Sequence, residues 1–447
     1  MADITSDTSV QPPIPRSFGT LGMLVCAVVV GVIGGLGAVI FRGMIAFFHN
    51  IFFERKLSLI YDANVFTNIG AWGPWIILAP IVGAVGVAFL VTQFAPEAKG
   101  HGVPEVMEAV YFKKGVMRPV VVWIKALASA LCIGSGGSVG REGPIIQIGS
   151  AMGSWIAQKI GLTPWQRIVL LACGAGAGIA ATFNTPIGGV LFAVEIILHE
   201  ISVKTLVPVV VSTAMASYIG RLFFGLNPSF LIPAFETPYF HPTNPLELVA
   251  YCVLGGFLGI LSVVIIKSIY SFEDFFEQKI PGGYFTRHLL GMTGVGLIIY
   301  VMMRTTGHYY VEGVGYSTVQ ATLAGIVTSA RLLLVLFILK LLVTSLTLGS
   351  GGSGGIFSPS LFLGATSGAA FGLGLNYLFP SLAVSAPAFA VSGMAGMVGG
   401  ITGAAVTAIV MVFEMTRDYN VVIPMTLTVA IAYGVRTIFI HLHFKTH

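Results

Sequence analysis

Uncharged segments of membrane-spanning length constrain the fold of this chain more than any other feature. Four of them are Leu21–Phe41, Trp72–Phe94, Leu248–Ile266 and Ala388–Phe413. About 20 consecutive apolar residues cross the hydrocarbon core of a bilayer as a helix. Charged residues make up only 9% of the 447 residues, against about 25% in soluble domains. The sequence therefore predicts an all-α, polytopic protein of the cell membrane, with the lipid bilayer as its surroundings.

Composition and motifs argue against several other classes of protein. The net charge of +5 is spread over loops, without the basic stripe and interleaved aromatic residues of a nucleic-acid-binding protein. The four cysteines lie in apolar runs, so we expect buried thiols and neither a disulfide framework nor a metal site. The sequence has no phosphate-binding loop and no HExxH zinc motif, so we do not expect an enzyme or an organic cofactor.

The glycine-rich stretch Gly134–Ser150 carries an arginine and a glutamate among apolar residues. A charged side chain at membrane depth costs about 2.5–3.5 kcal/mol, so Arg141 and Glu142 indicate a water-filled path or a binding site. Pro144 suits the first turn of a helix over Ile145–Ala157, whose unpaired N–H groups would lie beside the Glu142 carboxylate. We therefore predict an anion site whose anion belongs to the chain. The alternative is a local Arg141–Glu142 ion pair that holds the turn.

The second half of the chain repeats the first. At an offset of 215 residues, Gly134–Gly149 and Gly349–Gly364 are identical at eight of sixteen positions. In membrane proteins, such repeats indicate two structural halves that meet at a shared site, with broken helices pointing their ends at the solute. Ile356 and Phe357 stand in the second copy where the first has its charged pair. The predicted site therefore has two sets of backbone donors and one acid.

The repeat also pairs charged residues inside the apolar segments. Lys125 falls on Lys340 at the same offset, and Glu195 falls on Glu414 at an offset of 219. We expect the lysines to tie down helix ends or neutralise buried acids, and the glutamates to be structural residues that face water or a partner.

The pattern divides the chain into five segments, and we expect no soluble C-terminal regulatory domain. The segments are a polar tail (1–16), the first membrane repeat (17–225), a linker (226–246), the second membrane repeat (247–441) and a short C-terminal tail (442–447).

Three blocks of the sequence resemble the signature stretches of the CLC family of chloride channels and chloride/proton antiporters. They are GHGVPE at 100–105, GREGP at 140–144 and GGIFSP at 354–359. The resemblance extends from about residue 20 to 440. It implies two inverted-topology repeats of tilted and broken helices, chloride or a similar small anion as the bound partner, and a homodimer with one pore per subunit.

The resemblance also implies which residues form the site. Glu142 matches the gating glutamate of the family, which competes with the anion and can carry a proton. Gly143, Ile356 and Phe357 match its backbone anion contacts. His101 stands where many members have a serine. A histidine there can donate a ring N–H, carry a charge that holds the anion, or point away and leave only its backbone N–H.

Two positions depart from the family pattern. Ile196 stands where proton-coupled members have an internal glutamate, and Glu195 beside it would face elsewhere on a helix. Ungapped extension of the alignment puts Lys445 at the position of the family's central tyrosine. We expect Arg141, Lys125 and Lys445 to support the site. These features favour a channel-like anion pathway, and the alternative is a chloride/proton or fluoride/proton antiporter that uses Glu142 and an unusual internal proton route.

Overall fold

The structure is a computed structural model that describes residues 16–70, 72–232 and 245–444. Over these ranges it contains sixteen α-helices, no strand and three isolated β-bridges. Nine helical segments of the described chain are long and apolar enough to cross a membrane. The prediction of an all-α, polytopic membrane protein is therefore confirmed.

The helices fall into two sets of eight along the chain. The first set is α1 (Thr20–His49), α2 (Leu78–Phe94), α3 (Val103–Tyr111), α4 (Val120–Gly134), α5 (Glu142–Ile160), α6 (Pro164–Phe183), α7 (Pro186–Phe192) and α8 (Val203–Phe224). The second set is α9 (Pro245–Lys279), α10 (Tyr284–Thr306), α11 (Tyr316–Leu323), α12 (Ala330–Gly349), α13 (Phe357–Leu378), α14 (Ala386–Thr402), α15 (Ala405–Thr416) and α16 (Val422–Phe444). The π-helical turns Asn50–Glu54 and Ala193–Leu198 extend α1 and α7.

Packing between helices follows the repeat. In the first set α5 packs on α6, and α8 packs on α1 and α6. The same pairs recur in the second set as α13 on α14, and α16 on α9 and α14. Across the two sets, α2 contacts α10 and α7 contacts α15, each its own counterpart. Contacts between counterparts are what a pseudo-two-fold axis between the repeats produces, as in the inverted repeats of many transporters.

Glycine permits the closest helix crossings. A Cβ atom on Gly149 of α5 would lie 2.1 Å from the carbonyl oxygen of Gly174 on α6. The counterparts Gly364 and Gly393 meet in the same way, with a Cβ on Gly364 lying 2.3 Å from the Gly393 oxygen. Small residues let helix backbones approach in membranes, where packing replaces hydrophobic driving force. These two crossings fix the positions of α5 and α13, the helices that begin at the anion site.

Several predicted boundaries differ from the observed ones. The segment Ala388–Phe413 is not one span, because the chain breaks at Gly403, whose φ of +75° ends α14. The helix expected over Ile145–Ala157 is confirmed and begins earlier, at Glu142. The last helix reaches Phe444, three residues beyond the expected end of the second repeat. Most of the polar tail, much of the linker and residues 445–447 lie outside the described residues.

Candidate anion-binding site

The two glycine-rich loops pair directly with each other. The Gly140 N–H donates to the Gly355 oxygen with an N···O distance of 2.6 Å, and the Gly355 N–H donates to the Gly140 oxygen at 2.7 Å. The offset of 215 relates these two glycines, so their reciprocal pair lies on the pseudo-two-fold axis. Helices α5 and α13 each begin two residues later. Their first backbone N–H groups lack partners within the helix and attract an anion.

The Glu142 carboxylate occupies the N-terminus of α13. Its side chain is 1% exposed. Oε2 accepts a hydrogen bond from the Ser358 N–H at 3.2 Å, and Oε1 accepts bonds from the Ser358 hydroxyl and from the Tyr316 hydroxyl, the latter at 2.6 Å. One backbone N–H and two hydroxyls are donors that would also hold a small anion. In this arrangement the Glu142 carboxylate stands where an anion would bind. Its side chain lines one cavity, and its partner Tyr316 lines another.

Tyr316 contacts Glu142 directly, although no sequence motif marks it as a site residue. It is the first residue of α11, and its hydroxyl lies 2.6 Å from Glu142 Oε1 and 2.7 Å from the Ser358 hydroxyl. The repeat contains a signal, because Gly313–Gly315, which leads into Tyr316, aligns with Gly100–Gly102 around His101 at an offset of 213 residues. This similarity relates the two loops, but it does not show that the residue after Gly315 reaches Glu142.

Arg141 does not form the ion pair considered as an alternative for the turn. Its guanidinium lies over the rings of Phe183 and Tyr316, 5.4 and 5.2 Å from their centroids. Although Arg141 is only 8% exposed, its Nε has no hydrogen-bond partner among the described residues. Arg141 and Tyr316 line a cavity of about 300 Å³, called here the Arg141 cavity. The positive charge of Arg141 therefore borders this cavity, whose wall also includes Tyr316, a partner of Glu142.

The second cavity brings together the predicted anion-binding residues. It measures about 290 Å³ and is called here the His101 cavity. Residues in its wall include His101, Glu142, Gly143, Ile356 and Phe357. A Cβ atom on Gly143 would lie 2.0 Å from the His101 carbonyl oxygen, so glycine allows this contact. The His101 ring makes no hydrogen bond within the described part of the chain, and the three alternatives for its role stay open.

Ile196 lies in the wall of the His101 cavity as well. Glu142 is the one acidic residue among those that line this cavity in the described structure. Sequence analysis did not identify Tyr270 and Arg436, which supply a phenol and a cation to the wall. Lys445, predicted to support the site, lies outside the described residues.

Comparison with known proteins decides the family. The sequence profile described as "Voltage gated chloride channel" matches residues 83–437. The chain belongs to this CLC family. The resemblance carried by the three sequence blocks is thereby confirmed. The protein is a multi-pass membrane protein for anion transport, and ion transport is consistent with the expectation that it is not an enzyme.

Relatives with similar sequences include exchangers. The chain is 33% identical over 429 residues to the "H(+)/Cl(-) exchange transporter ClcA" of Yersinia pseudotuberculosis serotype IB (strain PB1/+), covering 93% of this chain and 84% of the relative. It is 32% identical over 425 residues to the protein of the same name from Salmonella arizonae (strain ATCC BAA-731 / CDC346-86 / RSK2980), covering 93% and 85%.

Solved structures share the fold. A slow cyanobacterial Cl-/H+ antiporter superposes with a TM-score of 0.81 and 24% identity, covering 95% of this chain and 96% of the other. A CLC-type fluoride/proton antiporter superposes with a TM-score of 0.74 and 19% identity, covering 94% and 96%. These similarities confirm the CLC fold of two inverted repeats of tilted and broken helices.

The paired lysines of this CLC protein tie down the loops that lead into the site. Each ammonium is fully buried and donates to two carbonyl oxygens of the loop before α3 or α11. The contacts are Lys125 Nζ to Ala98 O (3.0 Å) and Gly100 O (2.8 Å), and Lys340 Nζ to Val311 O (3.1 Å) and Gly313 O (2.8 Å). An offset of 213 relates the two sets of carbonyls, so a buried lysine holds the corresponding loop in each repeat. The lysines act on the site through its loops.

The paired glutamates cap helices of the opposite repeat. Each carboxylate accepts two backbone N–H bonds at a helix N-terminus, where negative charge is stabilising. The contacts are Glu195 with the N–H groups of Val406 (3.3 Å) and Thr407 (2.7 Å) on α15, and Glu414 with those of Ile187 (3.2 Å) and Gly188 (2.7 Å) on α7. Their structural role agrees with expectation, but they cap helices within the chain where we expected them to face water or a partner. Glu195 is thus committed to α15 and does not replace the acid missing at Ile196.

Proposed function

We propose that this CLC protein exchanges chloride for protons, with the Glu142 carboxyl as both gate and proton carrier. The observation that carries the proposal is the position of Glu142 on the donors of α13, where it lines the His101 cavity and contacts Tyr316 in the wall of the Arg141 cavity. Two exchange transporters with about one third identical residues over 93% of this chain support proton coupling over the channel reading.

The exchange follows from competition for one set of donors. While ionised, the Glu142 carboxylate accepts bonds from Ser358 and Tyr316 and blocks the path between the cavities. A proton taken up from one cavity neutralises the carboxylate, which weakens its hydrogen bonds because charge-assisted bonds are the stronger ones. The neutral side chain leaves and a chloride ion takes its place. Return of the carboxylate requires release of the proton and displaces the chloride, so the two ions move in opposite directions.

Paired flux measurements test the proposal. Purified protein in liposomes loaded with chloride is assayed for anion efflux and external pH at the same time, without a protonophore. We expect a chloride gradient to drive protons uphill. Chloride efflux without proton movement would refute exchange and establish the channel reading. Repeating the assay with fluoride, bromide and nitrate determines selectivity, since a CLC-type fluoride/proton antiporter shares the fold.

A channel-like pathway gated by Glu142 is the second candidate, and Ile196 is the observation that favours it. No carboxylate other than Glu142 lines the His101 cavity in the described structure. An exchanger therefore needs another proton route on that side. His101 and Tyr270 are titratable side chains in the cavity wall. If exchange occurs, His101→Ala and Tyr270→Phe test this route: the variant that removes it keeps anion flux and loses proton flux.

We further propose that the protein is a homodimer with a complete pathway in each subunit. Both glycine-rich loops, the gate and both cavities come from one chain, so no partner residue is needed to build the site. Liposomes reconstituted at a protein density that gives one assembly per vesicle, from mixed wild-type and Glu142→Gln subunits, test this. If the two pathways of a dimer are independent, protein-containing vesicles should show three levels of proton flux: full, half and none. If the subunits share one pathway, only two levels should appear.

A further inference from the structure

A buried imidazole–carboxylate pair lies beside the Arg141 cavity and has no part in the exchange described above. His49 ends α1, and Glu312 lies in the loop before α11; they are 4% and 8% exposed. His49 Nε2 is 3.7 Å from Glu312 Oε1. The Thr67 hydroxyl joins them, because it lies 3.2 Å from His49 Nε2 and donates to Glu312 Oε1. Two ionisable groups are thus held together away from solvent.

Each member of the pair retains a polar atom without a partner. His49 Nδ1 and Glu312 Oε2 are buried and make no hydrogen bond within the described residues. Both residues line a small cavity of about 20 Å³, which is large enough for about one water molecule. An unpartnered buried carboxylate oxygen is costly unless it gains a proton or another donor. The pair is therefore suited to bind a proton.

The small cavity connects the pair to the anion path through charge. Arg42 and Arg141 line it, and both also line the Arg141 cavity. A charge on the pair therefore acts on the two guanidinium groups that an anion meets before it reaches Glu142. Interactions between partly buried charges are screened less than those on the surface.

We propose that His49 and Glu312 form a proton-binding site, distinct from Glu142, that sets the affinity of the Arg141 cavity for chloride. In the deprotonated site, the Glu312 carboxylate offsets part of the positive charge of the arginines. One bound proton removes that offset, so the guanidinium groups attract chloride more strongly. Acidification on this side then raises the affinity for chloride.

Several other titratable or charged side chains surround the pair. The titratable or charged side chains around it are Arg42, Tyr61, Asp62, Arg141, Tyr309 and Lys340. Burial first, and the Glu312 carboxylate second, raise the pKa of the Tyr61 and Tyr309 hydroxyls, so neither ionises near neutral pH. Asp62 is exposed to solvent, and Lys340 is engaged by two backbone carbonyls.

Flux measurements in a Glu142→Gln background test the proposal, because that variant lacks the Glu142 carboxyl group. The chloride concentration for half-maximal efflux is measured at pH values from about 7.5 to about 5 on the side of the Arg141 cavity, the range in which histidine sites titrate. We expect this chloride concentration to decrease about threefold or more as the pH is lowered. Adding Glu312→Gln or His49→Gln should abolish this response, and Glu312→Gln should hold the high affinity at every pH. His308→Gln, in the same loop without an acidic partner, is the control and should keep the response.

A second measurement covers the case in which a substitution disturbs folding. Infrared difference spectra of the Glu142→Gln protein should show a buried carboxyl band that appears on acidification and shifts in Glu312→Asp. An unchanged pH response in both double variants, or the absence of any response in Glu142→Gln, would overturn the proposal. This proposal shares with the proposed function only the assumption that anions pass through the Arg141 cavity. If the protein does not exchange chloride for protons, the wild type will show no proton flux, and this result differs from a missing pH response in the Glu142→Gln variant.

Discussion

The two glycine-rich blocks build the same frame and differ in chemistry. In both repeats a buried lysine holds the carbonyls of an approaching loop, a glycine pair allows a close helix crossing, and a glutamate caps a helix of the other half. Only the first block adds Arg141 and Glu142, while the second has Ile356 and Phe357. The two blocks thus provide backbone donors twice, and only the first block carries charged side chains. We expect the features that the repeats share to support stability, and the charged pair of the first block to support transport.

The largest expected effect comes from removing the asymmetry at Glu142. Glu142→Gln should abolish proton transport and keep anion flux, since the amide cannot carry a proton and is not an anion that competes for the α13 donors. The matched change in the other repeat, Phe357→Leu, should keep proton coupling. Simultaneous chloride and pH recording in liposomes measures both. Proton transport that persists in Glu142→Gln would show that the gate assignment is wrong.

Blocking a close helix crossing should lower the stability of the protein by the same amount in either repeat. Gly149→Ala and Gly364→Ala each place a Cβ within 2.3 Å of a backbone oxygen, a distance at which the helices must move apart. Overpacking of this kind costs about 1–3 kcal/mol or more. Thermal unfolding in detergent should show similar losses for the two variants. Gly374→Ala, which meets nothing within 4 Å, is the control, and a loss in only one of the two crossings would argue against equivalent repeats.

Tyr316→Phe tests how much one hydrogen bond from the second repeat contributes to holding the Glu142 carboxylate. The substitution removes a hydroxyl that donates to the Glu142 carboxylate at 2.6 Å. A hydrogen bond to a charged group contributes about 1.5–3 kcal/mol, and the Ser358 donors remain, so we expect the lower end of that range. The gate should open more readily and anion flux should rise about tenfold. Tyr310→Phe, in the loop before α11, should leave the flux unchanged. Equal fluxes in both variants would show that the Tyr316 hydroxyl does not hold Glu142 in place.

The smallest effects are expected for the exchanged helix caps. Glu195→Gln and Glu414→Gln replace a carboxylate by a neutral amide at the N-termini of α15 and α7. Each should cost about 0.5–2 kcal/mol, the range for lost helix caps. Unfolding midpoints of the two variants should fall by similar amounts, while Glu54→Gln, whose partner Lys56 is exposed, should not change. Loss of proton coupling in Glu195→Gln would instead assign that residue to the proton route.

The apolar segments and the spacing of the repeat were sufficient to predict the membrane helices and the two related halves of the chain. Uncharged segments specified membrane helices because a bilayer offers the backbone no partner except itself. The offset of 215 aligns Gly140 with Gly355, and the structure pairs these two glycines directly. The break at Gly403 was missed because an apolar run of 26 residues has the same composition whether it is one helix or two. The composition of the segment does not predict the positive φ angle of Gly403 that ends α14.

The sequence by itself determined the fold class, the repeat and the acid at Glu142, because these depend on local composition and on similarity along the chain. The tertiary structure decided what Glu142 contacts. Its partners Tyr316 and Ser358 lie 174 and 216 residues away in sequence. Arg141 is adjacent to Glu142 in sequence, yet it faces two aromatic rings. Such contacts arise only when the two repeats close around their common axis, so their geometry is not encoded in any single segment.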